Sequence, residues 1–119
     1  MVDNMKKNKL NNIKCEHCNS QSTSLSEEES KELLTQLATH WVINEKGHLF
    51  CSYKFDNFIQ AMSFANHVGE VAEELGHHPN MMITWGICDI SIWTHKIEGL
   101  TKSDFILASH IDKISLKRK

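Results

Sequence analysis

Residues 56–79 read DNFIQAMSFANHVGEVAEELGHHP, a long amphipathic stretch that ends abruptly at Gly76-His77-His78-Pro79. Phe58, Ala61, Met62, Ala65, Val68, Ala72 and Leu75 recur at spacings of three and four, which lays one apolar stripe along an α-helix. Asp56 is suited to cap the first turn, because its carboxylate can accept from amides that have no partner inside the helix. Gly76 is the natural stop, since glycine takes the left-handed conformation that closes a helix, and Pro79 prevents resumption. His77 and His78 are therefore expected in a rigid exit loop. Glu73, on the polar side with Asn66 and Glu70, lies one turn before His77.

Outward from this helix the texture alternates. On the N-terminal side, Ser26-Glu27-Glu28-Glu29 is a capping-box pattern, and Leu33, Leu34 and Leu37 give a first helix an apolar face that ends near His40. Trp41 to Tyr53, interrupted by Glu45-Lys46-Gly47, reads as two strands joined by a tight turn. On the C-terminal side, Met81–Trp85 and Ile87–Thr94 are strand-like, the second alternating Cys88, Ile90 and Ile92 with Asp89, Ser91 and Trp93. A last helix opens at Thr101, where Thr101-Lys102-Ser103-Asp104 is a second capping box, and carries Phe105, Ala108 and Ile111 as its stripe. The order α-β-β-α-β-β-α predicts an α+β fold, a four-stranded antiparallel sheet with helices packed on one face.

A chain of 119 residues supports one hydrophobic core, and 40% hydrophobic with 24% charged residues is the composition of an ordinary globular domain. Residues 1–22 are polar and show no apolar period, so they are expected to be a mobile N-terminal extension to a single domain over 23–119. A formal net charge of -2 argues against a nucleic-acid-binding role, and the basic residues Lys6, Lys7, Lys9, Lys117, Arg118 and Lys119 read as solvated ends. No apolar run is long enough to span a bilayer, and the N-terminus lacks the apolar core of a signal peptide. A cytoplasmic location with reduced cysteines is expected, Cys51 and Cys88 being buried thiols. Cys15-Glu16-His17-Cys18 has the spacing of half a zinc site, but no second ligand pair follows nearby, so a reduced thiol pair is the better reading. Trp41, Trp85 and Trp93 read as core or pocket-wall residues, because no basic residues are interleaved with them.

Eight histidines in so short a chain is the unusual count. Histidine, with an unperturbed pKa of roughly 6.5, serves as acid and as base near neutrality. A lone His77-His78 pair is better accounted for by a turn in which one imidazole bonds a backbone carbonyl and the other is solvated. His95, at the end of the last strand, can lie beside the helix exit, and each of the three sits at an element end where little packing depends on it. Asp104 is explained by capping alone, with a second role open. His17, His40 and His110 fall outside this constellation.

Glu73-x-x-x-His77-His78-Pro79, followed by Trp85, His95 and Asp104, resembles the signature of the pterin-4a-carbinolamine dehydratases. Thr94-His95-Lys96-Ile97-Glu98-Gly99-Leu100-Thr101 is similar to the family's stretch between strand and last helix, and the likeness extends over nearly all of residues 25–115. Glu98 stands where many members carry glycine, and Met81-Met82 replace residues that are often aromatic or polar. The resemblance implies dehydration of a 4a-hydroxytetrahydropterin to the quinonoid dihydropterin in tetrahydrobiopterin recycling, with no cofactor and no metal. It implies His77 and His95 as candidate general acids, and His78 as the group that holds the pterin, stabilises the developing cation or takes the N5 proton. Glu73 would then orient an imidazole, Pro79 stiffen the loop, and Asp104 support His95 or the helix start. A homo-dimer or homo-tetramer is implied, serving a pterin-dependent aromatic amino acid hydroxylase. Two other classes stand beside it: a protein-interaction scaffold or transcriptional co-regulator on the same fold, and a small metal-binding protein using His77, His78 and His95.

Overall fold

The computed structural model describes residues 24–38 and 40–117. The expected N-terminal extension, with Cys15 and Cys18, lies outside them. Among the described residues, three helices and four strands follow in the predicted order: α1 (Glu27–Leu34), β1 (Val42–Ile43), β2 (Leu49–Lys54), α2 (Phe58–Leu75), β3 (Asn80–Thr84), β4 (Ile87–Ile92) and α3 (Lys102–Lys117). The strands form one antiparallel sheet in the order β1-β2-β4-β3, so the two hairpins meet along β2 and β4. Leu49, Cys51 and Tyr53 of β2 and Cys88, Ile90 and Ile92 of β4 turn to one face and are buried. That face packs with Phe64, Ala65, Val68 and Ala72 of α2 and Phe105, Leu107, Ala108 and Ile111 of α3 in a single core. Burial also pushes the Cys51 and Cys88 thiols up to about 11, which keeps both protonated at neutral pH.

Local chemistry sets most boundaries. Ser26 and Glu29 form the reciprocal capping box, the Ser26 hydroxyl accepting from the Glu29 amide at 3.1 Å and Glu29 accepting from the Ser26 amide at 2.8 Å. Asn57 rather than Asp56 caps α2, its Oδ1 accepting from the Gln60 amide at 2.9 Å, while the Asp56 amide donates to the Gln60 side chain. The helix closes at Gly76, φ 72° and ψ 25°, and the His77 amide donates back to the Ala72 carbonyl at 3.1 Å in the pattern of a left-handed cap. α1 stops at Leu34, earlier than the apolar spacing suggests, because the Thr35 hydroxyl takes the Glu32 carbonyl at 2.6 Å. Leu37 still reaches the core from the turn that follows. Trp41 is a core residue, whereas Trp85, in the two-residue turn between β3 and β4, is 69% exposed and does not belong to the core. No helix among the described residues is long and apolar enough to cross a membrane.

Candidate active site

Asp104, in the first turn of α3, is wholly buried and its carboxylate is the junction of three segments. One oxygen accepts from His77 Nε2 at 2.5 Å, which ties α3 to the exit of α2. The other accepts from the Thr94 hydroxyl at 2.9 Å and the Thr101 amide at 2.7 Å. Thr94 has one hydroxyl hydrogen and spends it on Asp104, so the Thr101 hydroxyl donates to Thr94 Oγ1 at 2.9 Å. A buried carboxylate is tolerated when its lone pairs are met in this way. The bond from Asp104 to the Thr101 amide is the helix-start role expected of it, and its imidazole partner is His77 rather than His95.

The sequence explains how these segments converge. Gly76 turns the chain so that His77 points inward, and only 6% of His77 is exposed. It is therefore not a loosely packed element end, and its Nε2 proton is fixed by the carboxylate it meets. His78 faces the other way: its Nε2 donates to Glu73 Oε1 at 2.8 Å, with both side chains largely in solvent at 64% and 81% exposure. Glu73 thus meets an imidazole, but that of His78 rather than His77, the residue one helical turn on, because the left-handed Gly76 ends the helical path between them. Pro79 follows, and β3 begins at Asn80.

Past β4, Thr94 pairs with Gly99 across a short turn, with the Thr94 amide donating to the Gly99 carbonyl at 2.8 Å. Glu98 in that turn has φ 48°, the left-handed region that glycine occupies without strain, which accounts for glycine being common there in the family the sequence resembles. His95 opens the turn and is exposed; its ring stacks on Trp93 with centroids 4.3 Å apart. Thr94, one residue away, carries the link through Asp104 to His77. Among the described residues, no group of three or more His, Cys, Asp or Glu could hold a metal ion, so His77, His78 and His95 do not form one.

Two residues of this neighbourhood carry no mark in the sequence. Thr94 lies in the quoted Thr94-His95 stretch, but only the fold reveals that its hydroxyl reaches Asp104. His48 stacks on Trp93 at 3.8 Å with an interplanar angle of 6°, and burial first, then Lys46 and His95, hold it below its ordinary value. No local pattern marks it; the pairing of Leu49 with Ile92, a long-range register, brings it there.

Taken together these features define a small α+β domain with a histidine-carboxylate site where a helix exit, a strand end and a helix start converge. The family model described as Pterin 4 alpha carbinolamine dehydratase matches residues 23–114, and the chain belongs to that family. A protein of Rickettsia canadensis (strain McKiel), provisionally named a pterin-4-alpha-carbinolamine dehydratase, is 48% identical over 103 residues, covering 87% of this chain and 94% of its own. A protein of Alkaliphilus metalliredigens (strain QYMF) with the same provisional name is 42% identical, over 89% of this chain and 96% of its own. Among solved structures, a transcriptional coactivator/pterin dehydratase from Brucella melitensis superposes with a TM-score of 0.72 at 29% identity, over 77% of this chain and 98% of that one.

Proposed function

We propose that this protein eliminates water from a 4a-hydroxytetrahydropterin to give the quinonoid dihydropterin, by proton transfer among His77, His78 and His95. The observation that carries the reading is the buried Asp104 carboxylate, bonded at once to His77 and to the residue before His95. A buried carboxylate fixing one imidazole in a single orientation is what an acid–base group requires, and capping alone has no use for it. Family membership supplies the substrate class.

In the reaction the C4a–O bond breaks as the leaving oxygen takes a proton, and the N5 lone pair forms the N5=C4a double bond. The N5 proton is then lost, so one proton is delivered and one is removed. His77 and His95 are the candidate acids toward the hydroxyl. His78, held by Glu73, is the group that steadies the developing cation or accepts the N5 proton. Pro79 limits the freedom of the loop that bears both His77 and His78. The residues 23–119 would act as one domain, in a homo-dimer or homo-tetramer, recycling the pterin of an aromatic amino acid hydroxylase in the cytoplasm.

A second reading, a protein-interaction scaffold, is favoured by the Brucella melitensis relative, which is described as a coactivator as well as a dehydratase. Freshly generated 4a-hydroxytetrahydropterin, followed by ultraviolet absorbance with and without the protein, separates the two. Loss of the carbinolamine well above its spontaneous rate, unchanged after prolonged chelation, is the expected result. A rate equal to the spontaneous one would leave the scaffold, and activity abolished by chelation and restored by zinc would overturn the metal-free mechanism.

A further inference from the structure

Trp93 carries an imidazole on each side. The His48 centroid lies 3.8 Å from the indole at 6°, and the His95 centroid 4.3 Å away at 21°. Both rings sit so nearly over the indole that they would overlap if they shared a face, so they occupy opposite faces. The result is a column, His48 to Trp93 to His95, that leads from the β1–β2 turn to the strand end at the candidate site.

The two ends of this column differ. His48 is anchored by its backbone: Asn44 Oδ1 accepts from the Lys46 and His48 amides, each at 3.0 Å, and the His48 carbonyl accepts from the Asn44 amide at 2.9 Å. Gly47, at φ 80°, lets the chain make that tight turn. His48 is half-buried, and burial first, then Lys46 and His95, lower its pKa from the ordinary value, with Asp104 and Glu98 acting in the other direction. It is a fixed, flat packing surface. His95 is exposed, and Trp93 is the ring against which it rests. An exposed imidazole on a strand end samples several rotamers unless a neighbour selects one.

We infer that His48 is a positioning residue for His95: it closes the far face of Trp93, fixes the indole, and through it sets the angle at which the His95 imidazole meets the substrate. The inference rests on the reading above that His95 acts on the pterin. It assigns His48 no proton transfer, so a flat ring that cannot titrate serves in its place.

The test compares His48→Ala and His48→Phe with the wild type by two readouts. The first is the NMR shift of the His95 ring protons, which an indole face moves through its ring current, assigned with His95→Gln. The second is steady-state dehydration, beside the melting temperature. His48→Ala is expected to lose the ring-current shift and to lower kcat by roughly 10- to 100-fold with KM and melting temperature little changed, the usual scale for a misplaced reacting group. His48→Phe should restore both. An unchanged His95 shift in His48→Ala overturns the inference whatever the rate does, and a His48→Phe variant as slow as His48→Ala, with its His95 shift intact, would make His48 a chemical participant instead. If the shift is lost but His95→Gln turns over at the wild-type rate, the role given to His95 in dehydration is what fails, and the positioning role for the reaction falls with it.

Discussion

His110 is half-buried on α3, and its Nε2 has no hydrogen-bond partner among the described residues. Burial first, then Lys113, lowers its pKa, and Glu74 acts weakly in the other direction. His48 is lowered too, by burial, Lys46 and His95. Because both folded values lie below the ordinary 6.5, the unfolded chain binds more protons as the solution is acidified. The stability these groups contribute is present above the unfolded value and is lost as the pH falls through the folded ones. Melting temperatures measured from pH 7 to 5 should therefore fall less steeply in His110→Gln than in the wild type, and parallel curves would contradict the assignment. At this scale the sequence was most legible where chemistry is local: Asp104 at a helix start, and Glu73 near the histidine pair, although its partner is His78 and not the His77 that helical spacing indicates. It was silent on His48 and on the Thr94 hydroxyl, whose partners lie across the sheet or on the next helix.

The exit of α2 shows why the elements themselves could be read and some of their ends could not. Gly76 and Pro79 state a stop in four residues, and the chain stops there. Asp56 and Asn57 are both competent caps, and it is Asn57 whose extended backbone and side chain take the position. The apolar spacing that runs to Leu37 likewise cannot reveal that α1 ends at Leu34 while Leu37 packs from a turn. Nothing lies within 4 Å of a Cβ built on Gly76, so the cost of Gly76→Ala comes from its φ of 72° alone. That cost is about 1–2 kcal/mol for an L-residue in the left-handed region. Urea unfolding should show a loss of that size, with reduced turnover because His77 and His78 hang from this turn. A variant as stable as the wild type would mean that the turn relaxes freely and does not hold the histidines.

Across the whole molecule, a second buried carboxylate ties together what the site does not. Asp112 on α3 accepts from the Ala38 amide at 2.8 Å, Trp41 Nε1 at 2.7 Å and the Tyr53 hydroxyl at 3.1 Å, joining the segment after α1 and strand β2 to the last helix. Desolvation and the Asp112 charge hold the Tyr53 phenol far above its usual range, so it donates throughout. Asp112→Ala would leave three donors unmet and should cost about 2–4 kcal/mol in urea unfolding, a large share of a typical domain's stability. A loss below 1 kcal/mol would mean that water replaces the carboxylate. The two α3 carboxylates divide the work, Asp112 holding the fold and Asp104 the candidate site. His77→Ala therefore disturbs both packing and chemistry, since it strips a buried carboxylate of its partner. His78 and His95 are exposed and can be removed at little cost to the fold. The most direct measurement is steady-state dehydration of 4a-hydroxytetrahydropterin by His78→Ala and His95→Ala beside their melting temperatures. Turnover lowered by about 100- to 10,000-fold in each, with the melting temperature nearly unchanged and the double variant less than additive, is the predicted result. Wild-type turnover in both would contradict histidine acid–base catalysis at this site.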